Sequence, residues 1–271
     1  MQAFYYEGLF FMELIRELYQ KQSLFVFTAL FYALALVLFL ILSKLDHRLV
    51  NGYNTWYKPM KFALSLLPYF LSLAWIWPHL TGQGSAWLAL ALVLLMHVEM
   101  LLITMQAARA VPSHFNNATA FDAGVFSVMG TAIFINTLLL VYLFFVSFST
   151  LTELSSLQAW AWRLGLLFLI LGSSVGGMMG AKNTHSVGVD VGNGLPFLGW
   201  NRDGGDLRIM HFLGIHALQV FPLFAWLSEK WLKPISTIVF VGLAFLYLCS
   251  MIYLLVLTLQ GRSIFPLKSN S

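Results

Sequence analysis

The sequence predicts an all-α membrane protein: one domain over residues 1–271, a bundle of seven transmembrane helices with a short N-terminal interfacial helix. Three observations predict it. Only 10% of the 271 residues are charged and 59% are hydrophobic, with a mean hydropathy of +0.80, whereas soluble domains carry about 25% charged residues. So few charges cannot clothe a water-facing surface of this size. Seven apolar stretches approach or exceed the roughly 20 residues a helix needs to cross about 30 Å of hydrocarbon. The segments between them are polar or rich in Pro and Gly.

In chain order, residues 1–20 interleave Leu9, Phe10, Met12 and Ile15 with Glu13, Arg16 and Glu17. That pattern suits a helix lying in the membrane interface. It lacks the basic start and small-residue cleavage site of a signal peptide. The spans fall near 23–42, 59–77, 86–106, 121–146, 158–180, 207–227 and 235–260. Pro59 fits a first helical turn, where its missing N–H is no loss. The fourth span is long enough to tilt or project. On the fifth, Gly172, Gly176 and Gly180 make a small-xxx-small ridge suited to close helix packing. Asp206, after Gly204-Gly205, suits the N-cap of the sixth.

Seven crossings place the termini on opposite sides. The side of the C-terminus, side B, holds the segments 43–58, 107–120 and 181–206. Ten Lys and Arg lie nearer side B and five nearer the other. By the positive-inside rule side B is cytoplasmic and the N-terminus outside. The lone Cys249 provides neither an intrachain disulfide nor a cysteine metal site. No Lys/Arg cluster has the density that binding nucleic acid requires. The lipid bilayer is the expected partner, with a second copy or a membrane redox partner beside it.

The polar residues gather on helices three, four and six and in the loops of side B. His97 and Glu99 sit mid-span on the third helix, with Gln106 and Arg109 above them. Asp122 and Asn136 share a face of the fourth. Arg208, His211, His216 and Gln219 share an arc of the sixth. His114 and His185 lie in the loops. A carboxylate at Glu99's depth costs about 3 kcal/mol or more unless it is neutral, paired or hydrated. The 25-residue stretch from Lys182 to Asp206, with Gly188, Gly192, Gly194, Gly199, Gly204, Gly205 and Asp190, is expected to fold as a site loop or lid.

Three chemistries compete for these residues. Bis-histidine ligation of haem b or a divalent metal ion, for redox work, needs histidines at matched depth on different helices. His97 and His216 meet that condition as the inner pair, with His211, His114 and His185 available for a second site. Proton-coupled transport would use Glu99 as the proton carrier, His97 and His216 as relays, and Arg109 or Arg208 as anchor for an anion. A lipid-acting enzyme would draw on His114, His185 and Asp122. There is no lysine on the seventh helix for a retinal Schiff base, and no HExxH, Walker A or GxSxG motif. No inverted repeat of the usual transporter kind is visible.

Three stretches resemble motifs of a group of uncharacterised multi-span bacterial integral membrane proteins. They are Asn54-Thr55-Trp56-Tyr57-Lys58-Pro59-Met60-Lys61-Phe62, Ser113-His114-Phe115-Asn116, and Gly205-Asp206-Leu207-Arg208 running on to His211-Phe212 and His216-Ala217-Leu218-Gln219. The resemblance implies a bacterial inner-membrane setting and carries no activity.

Overall fold

The computed structural model describes residues 16–20, 22–80, 86–189, 194–231 and 235–266. Among these, seven helices are long and apolar enough to cross a membrane: α1 Ser23–Leu45, α2 Tyr57–Leu80, α3 Ala86–Ala108, α4 Ala120–Thr150, α5 Ser156–Lys182, α6 Leu207–Trp231 and α7 Thr237–Leu259. Each contains or nearly matches a predicted span. The predicted interfacial helix falls mostly outside the described residues, of which 16–20 are helical.

Side-chain caps set several boundaries. Thr119, Ser155 and Ser236 each accept a backbone N–H three residues on, at the starts of α4, α5 and α7. Asp206 Oδ1 accepts the N–H of Arg208, as its predicted capping role requires. The α5 helix stops at Asn183 in the left-handed conformation, φ 53°, which asparagine tolerates.

The α2 helix stands centrally, packing against α1, α3, α4 and α6; α5 packs against α4, α6 and α7. The α5–α6 contact is the closest in the bundle. An added Cβ at Gly172 would stand 2.8 Å from Gly214 Cα, and one at Gly214 would stand 2.5 Å from Gly172 Cα. Gly165 lies the same way against Leu218, and Gly176 against the His211 ring. The glycine ridge therefore packs helices as predicted, but its members differ. Gly180 faces open space, one turn beyond the contact, while Gly165 and the partner glycine Gly214 belong to it. The α1 and α7 helices lie on the flanks, exposing Leu34, Ile41, Ile238 and Phe245 where lipid replaces water.

Two short antiparallel strand pairs lie in the side B connections among the described residues. The strands β1 (Leu49–Val50) and β2 (Tyr53–Asn54) pair antiparallel. Asn51 (φ 50°) and Gly52 (φ 80°) form the tight turn between them. An Asn-Gly pair is the strongest short-range sequence signal for such a turn. Asn54 Nδ2 donates to Asp46 O and Ser43 O, closing the end of α1. The strands β3 (Ser186–Val187) and β4 (Gly205–Asp206) likewise pair antiparallel, Ser186 opposite Asp206. Between them, residues 194–201 close a turn in which Leu195 N donates to Trp200 O and Gly199 N to Leu195 O. Asp190 lies outside the described residues.

Candidate functional site

The residues singled out from sequence separate into two groups: those whose polar atoms are consumed by structure, and those that meet inside the bundle. Gln106, Arg109 and Asp122 belong to the first. Asp122 Oδ1 accepts from Arg109 Nη1 at 2.6 Å and from Gln106 Nε2 at 2.9 Å, and its Oδ2 accepts from the Thr119 hydroxyl. This clamp ties the end of α3 to the start of α4. Arg109 also lies over the Phe121 ring. Arg208 is similarly held: its Nε and Nη2 grip the Asp206 carboxylate, with a shortest contact of 2.6 Å, and Nη2 also donates to Gly199 O. Each arginine is thus paired with a carboxylate, Arg109 with Asp122 and Arg208 with Asp206. Asn136 Oδ1 lies 3.5 Å from the Tyr69 hydroxyl, the outer limit for a hydrogen bond.

His97 points away from the polar group. Its Nδ1 lies 2.8 Å from Val93 O of its own helix, and its ring packs against Phe31 and Tyr32 of α1. His216 faces α2, its Nε2 3.3 Å from Ser65 Oγ and its Nδ1 3.1 Å from Gln219 Oε1. The two histidines therefore have different neighbours, α1 for His97 and α2 for His216.

The carboxylate of Glu99 meets a different histidine. Its side chain is 1% exposed, and Oε1 lies 3.4 Å from His114 Nε2. Neither oxygen accepts an aligned hydrogen bond among the described residues. Glu99 is nine residues, about 13 Å, inside the end of α3, so the segment 109–119 must turn back into the bundle to deliver the imidazole. Local bonds hold that turn. Asn116 Nδ2 donates to Pro112 O, Asn116 Oδ1 accepts from Ala118 N, and Phe115 adopts a positive φ of 57°. Backbone without helical or sheet bonding is tolerated at membrane depth only when it is enclosed by protein. The rings of Phe62, Phe115 and Phe126 surround His114, and Ser113 Oγ lies 3.2 Å from its Nδ1. Burial, together with the charges of Lys58 and His211, holds the His114 imidazole below its ordinary pKa, against the opposing pull of Glu99.

His211 sits at the α5–α6 seam, its ring against Gly176. Its Nδ1 is 2.8 Å from Gly172 O. A carbonyl only accepts, so Nδ1 carries the hydrogen and Nε2 remains basic. His185, beside the cluster, has its Nδ1 3.8 Å from Asp206 Oδ1. Burial and the charge of Arg208 lower its pKa from 6.5 to about 4, with Asp206 opposing.

Two lysines complete the group, and neither was among the expected site residues. Lys58 and Lys61 lie three apart on one face of α2, a helix whose apolar run reads from sequence as a packing element. Lys61 Nζ donates to Leu198 O at 3.1 Å. Lys58 is half-buried and makes no hydrogen bond or ion pair among the described residues; Glu99, Lys61 and Arg208 lie within electrostatic reach of it. The signal available in sequence was the i,i+3 lysine pair in the first turns of a span, where charge is otherwise absent. No three His, Cys, Asp or Glu side chains converge in a metal-binding group among the described residues. The residues best disposed to take up a proton or polar ligand are Glu99, His114, His211 and Lys58.

Fold and cluster together define a multi-pass, seven-helix integral membrane protein with a buried acid–imidazole pair toward one end. Comparison with known protein families, with curated proteins and with solved structures finds no match to this chain.

Proposed function

We propose that the protein is a proton-coupled membrane transporter in which Glu99 and His114 together form the proton-binding element. The observation that carries this reading is the Glu99 carboxylate, 1% exposed, with no aligned donor and an imidazole nitrogen 3.4 Å away. A buried carboxylate left in that state is costly unless a proton or a cation compensates it. One proton exchanged between Glu99 and His114 neutralises the pair without large movement. His216 and Ser65, 3.3 Å apart, add a second polar contact between α6 and α2. An intramembrane ionisable residue is by default a candidate for such a role.

The reading is tested by a pH-jump measurement of charge displacement on protein adsorbed to a supported membrane. The wild type is expected to give a transient current that Glu99→Gln abolishes. An unchanged transient in Glu99→Gln contradicts the proposal.

The setting proposed with this function is a bacterial inner membrane, with side B and the C-terminus cytoplasmic and the N-terminus outside. The excess of Lys and Arg on the loops of side B supports it. Alkaline phosphatase fused to the C-terminus is then expected to be inactive in cells, and an active fusion reverses the orientation.

A further inference from the structure

Arg163 stands apart from the proton pair, toward the opposite end of the bundle. It lies seven residues, about 10 Å, inside the start of α5. That helix has 27 residues and is about 40 Å long, so about 5 Å of it projects beyond each face of a hydrocarbon layer about 30 Å thick. The Arg163 Cα is then about 5 Å below the hydrocarbon boundary. Side chains on a helix lean toward its N-terminus, and the N-terminus of α5 is the end opposite side B. A long cationic side chain placed there snorkels to the level of the lipid phosphates. Trp87, Trp160 and Trp231, all exposed near the same end, mark that interface.

The contacts of the guanidinium hold it without neutralising it. Nη2 donates to Ser147 O at 3.1 Å. Cζ lies 4.9 Å from the centre of the Phe148 ring and 5.4 Å from that of Trp160. Nε is buried and has no acceptor among the described residues. A carbonyl and two rings leave the positive charge in place, and no carboxylate stands within ion-pair distance among the described residues. Glu229, an acid at this end, accepts from Ser155 Oγ and Gln158 Nε2. The anion that the bilayer supplies at this depth is phosphate. Phe148 and Trp160 are exposed, and Phe145 and Leu171 continue the exposed apolar surface of α4 and α5 deeper into the membrane.

We propose that Arg163 binds the phosphate of a phospholipid from the leaflet opposite side B. Phe148 and Trp160 orient the guanidinium, and the apolar surface of α4 and α5 receives an acyl chain. Nη1, which makes no hydrogen bond among the described residues, is the donor left for the phosphate oxygens, a charge-assisted pairing. The site is separate from Glu99 and His114, and stands or falls without them.

The test is native mass spectrometry of the full-length protein in detergent, titrated with phosphatidylglycerol and, as a phosphate-free control, with diacylglycerol of the same acyl chains. The wild type is expected to take its first phosphatidylglycerol about tenfold or more tighter than diacylglycerol, the scale of one charge-assisted hydrogen bond. Arg163→Met is expected to lose that preference. Lys44→Met, which removes an exposed lysine at the side B end of α1, and Glu99→Gln are expected to keep it. Should Arg163→Met not fold, Phe148→Leu keeps the cation and removes one ring over it, and is expected to weaken the first phosphatidylglycerol about threefold. A first phosphatidylglycerol held as tightly by Arg163→Met as by the wild type overturns the site, as does a wild type that does not distinguish the two lipids. A lowered melting temperature in Arg163→Met with lipid binding intact shows that the guanidinium serves only to join α5 to Ser147 O, and equally overturns it.

Discussion

Gly214→Val is expected to leave the chain poorly folded, because no side chain fits where α5 and α6 touch. A Cβ at that position would stand 2.5 Å from Gly172 Cα and 2.8 Å from Phe168 O. Both obstacles are backbone atoms, so a rotamer change cannot relieve the clash and the helices must separate. Ordinary overpacking costs about 1–3 kcal/mol, and here the whole seam is displaced, so about 3 kcal/mol or more is expected. The displacement also carries His211 away from Gly172 O, its hydrogen-bond partner at 2.8 Å, so the site is lost with the seam. Thermal unfolding in detergent checks this. Gly214→Ala should fall between Gly214→Val and the wild type. A Gly214→Val protein that melts with the wild type would mean the two helices are not in such contact.

Asp206→Ala carries the second large effect. The side chain of Asp206 is 0% exposed. It accepts from Arg208 Nε and Nη2, from the Arg208 backbone N–H and from Asn201 N–H. Its loss strands a half-buried guanidinium and two backbone donors at the β3–β4 junction, at about 3–5 kcal/mol. The wild type carries a pH signature of the same contacts. Burial pushes the Asp206 carboxyl up, but the Arg208 hydrogen bonds and charge, the Asn201 N–H and His185 outweigh it and hold the carboxyl below its ordinary value. That contribution is present above the ordinary carboxylate range and is lost as pH falls through the depressed folded value. His185 is lowered from 6.5 to about 4, so its unfolded form binds the proton first as pH falls. Stability of this loop is therefore flat above 6.5 and declines from there toward about 4. Hydrogen exchange of residues 185–187 and 205–207 against pH, in the wild type and in Asp206→Ala, reads both effects. Exchange that is insensitive to the substitution contradicts the account.

The helices were legible because their signal is compositional. A run of apolar residues long enough to cross hydrocarbon needs no tertiary information, and the seven spans are where the sequence places them. Asp206 as a cap was legible for the same local reason. The glycine ridge was half legible. Gly172 and Gly176 announce a close approach, but sequence does not say that Gly214 answers Gly172, because that pairing depends on the rotation of α6. The pairing of the arginines was not legible from their chemistry alone: Arg109 and Arg208 read as anion anchors, and the structure pairs each with a carboxylate close in sequence, Asp122 and Asp206.

The meeting of His114 with Glu99 left no periodic trace. It requires a non-helical loop to re-enter the bundle, and that depends on the Asn116 turn and on three enclosing phenylalanines drawn from α2, the loop and α4. Matched depth suggested His97 with His216. The azimuth of His97 about α3 decides otherwise, since it faces Phe31 and Tyr32 while Glu99 faces inward. Lys58 and Lys61 were hidden in plain view. Nothing in their spacing announces that Lys61 reaches across to Leu198 O, more than a hundred residues along the chain.

The central claim is that the proton is held by Glu99 with His114, and not at His97. The measurement that tests it most directly sets Glu99→Gln, His114→Gln and His97→Gln side by side in the pH-jump charge-displacement assay, with equal amounts of folded protein adsorbed. The account predicts a silent Glu99→Gln, an altered pH dependence in His114→Gln and a wild-type transient in His97→Gln. A transient lost in His97→Gln and retained in Glu99→Gln would contradict it.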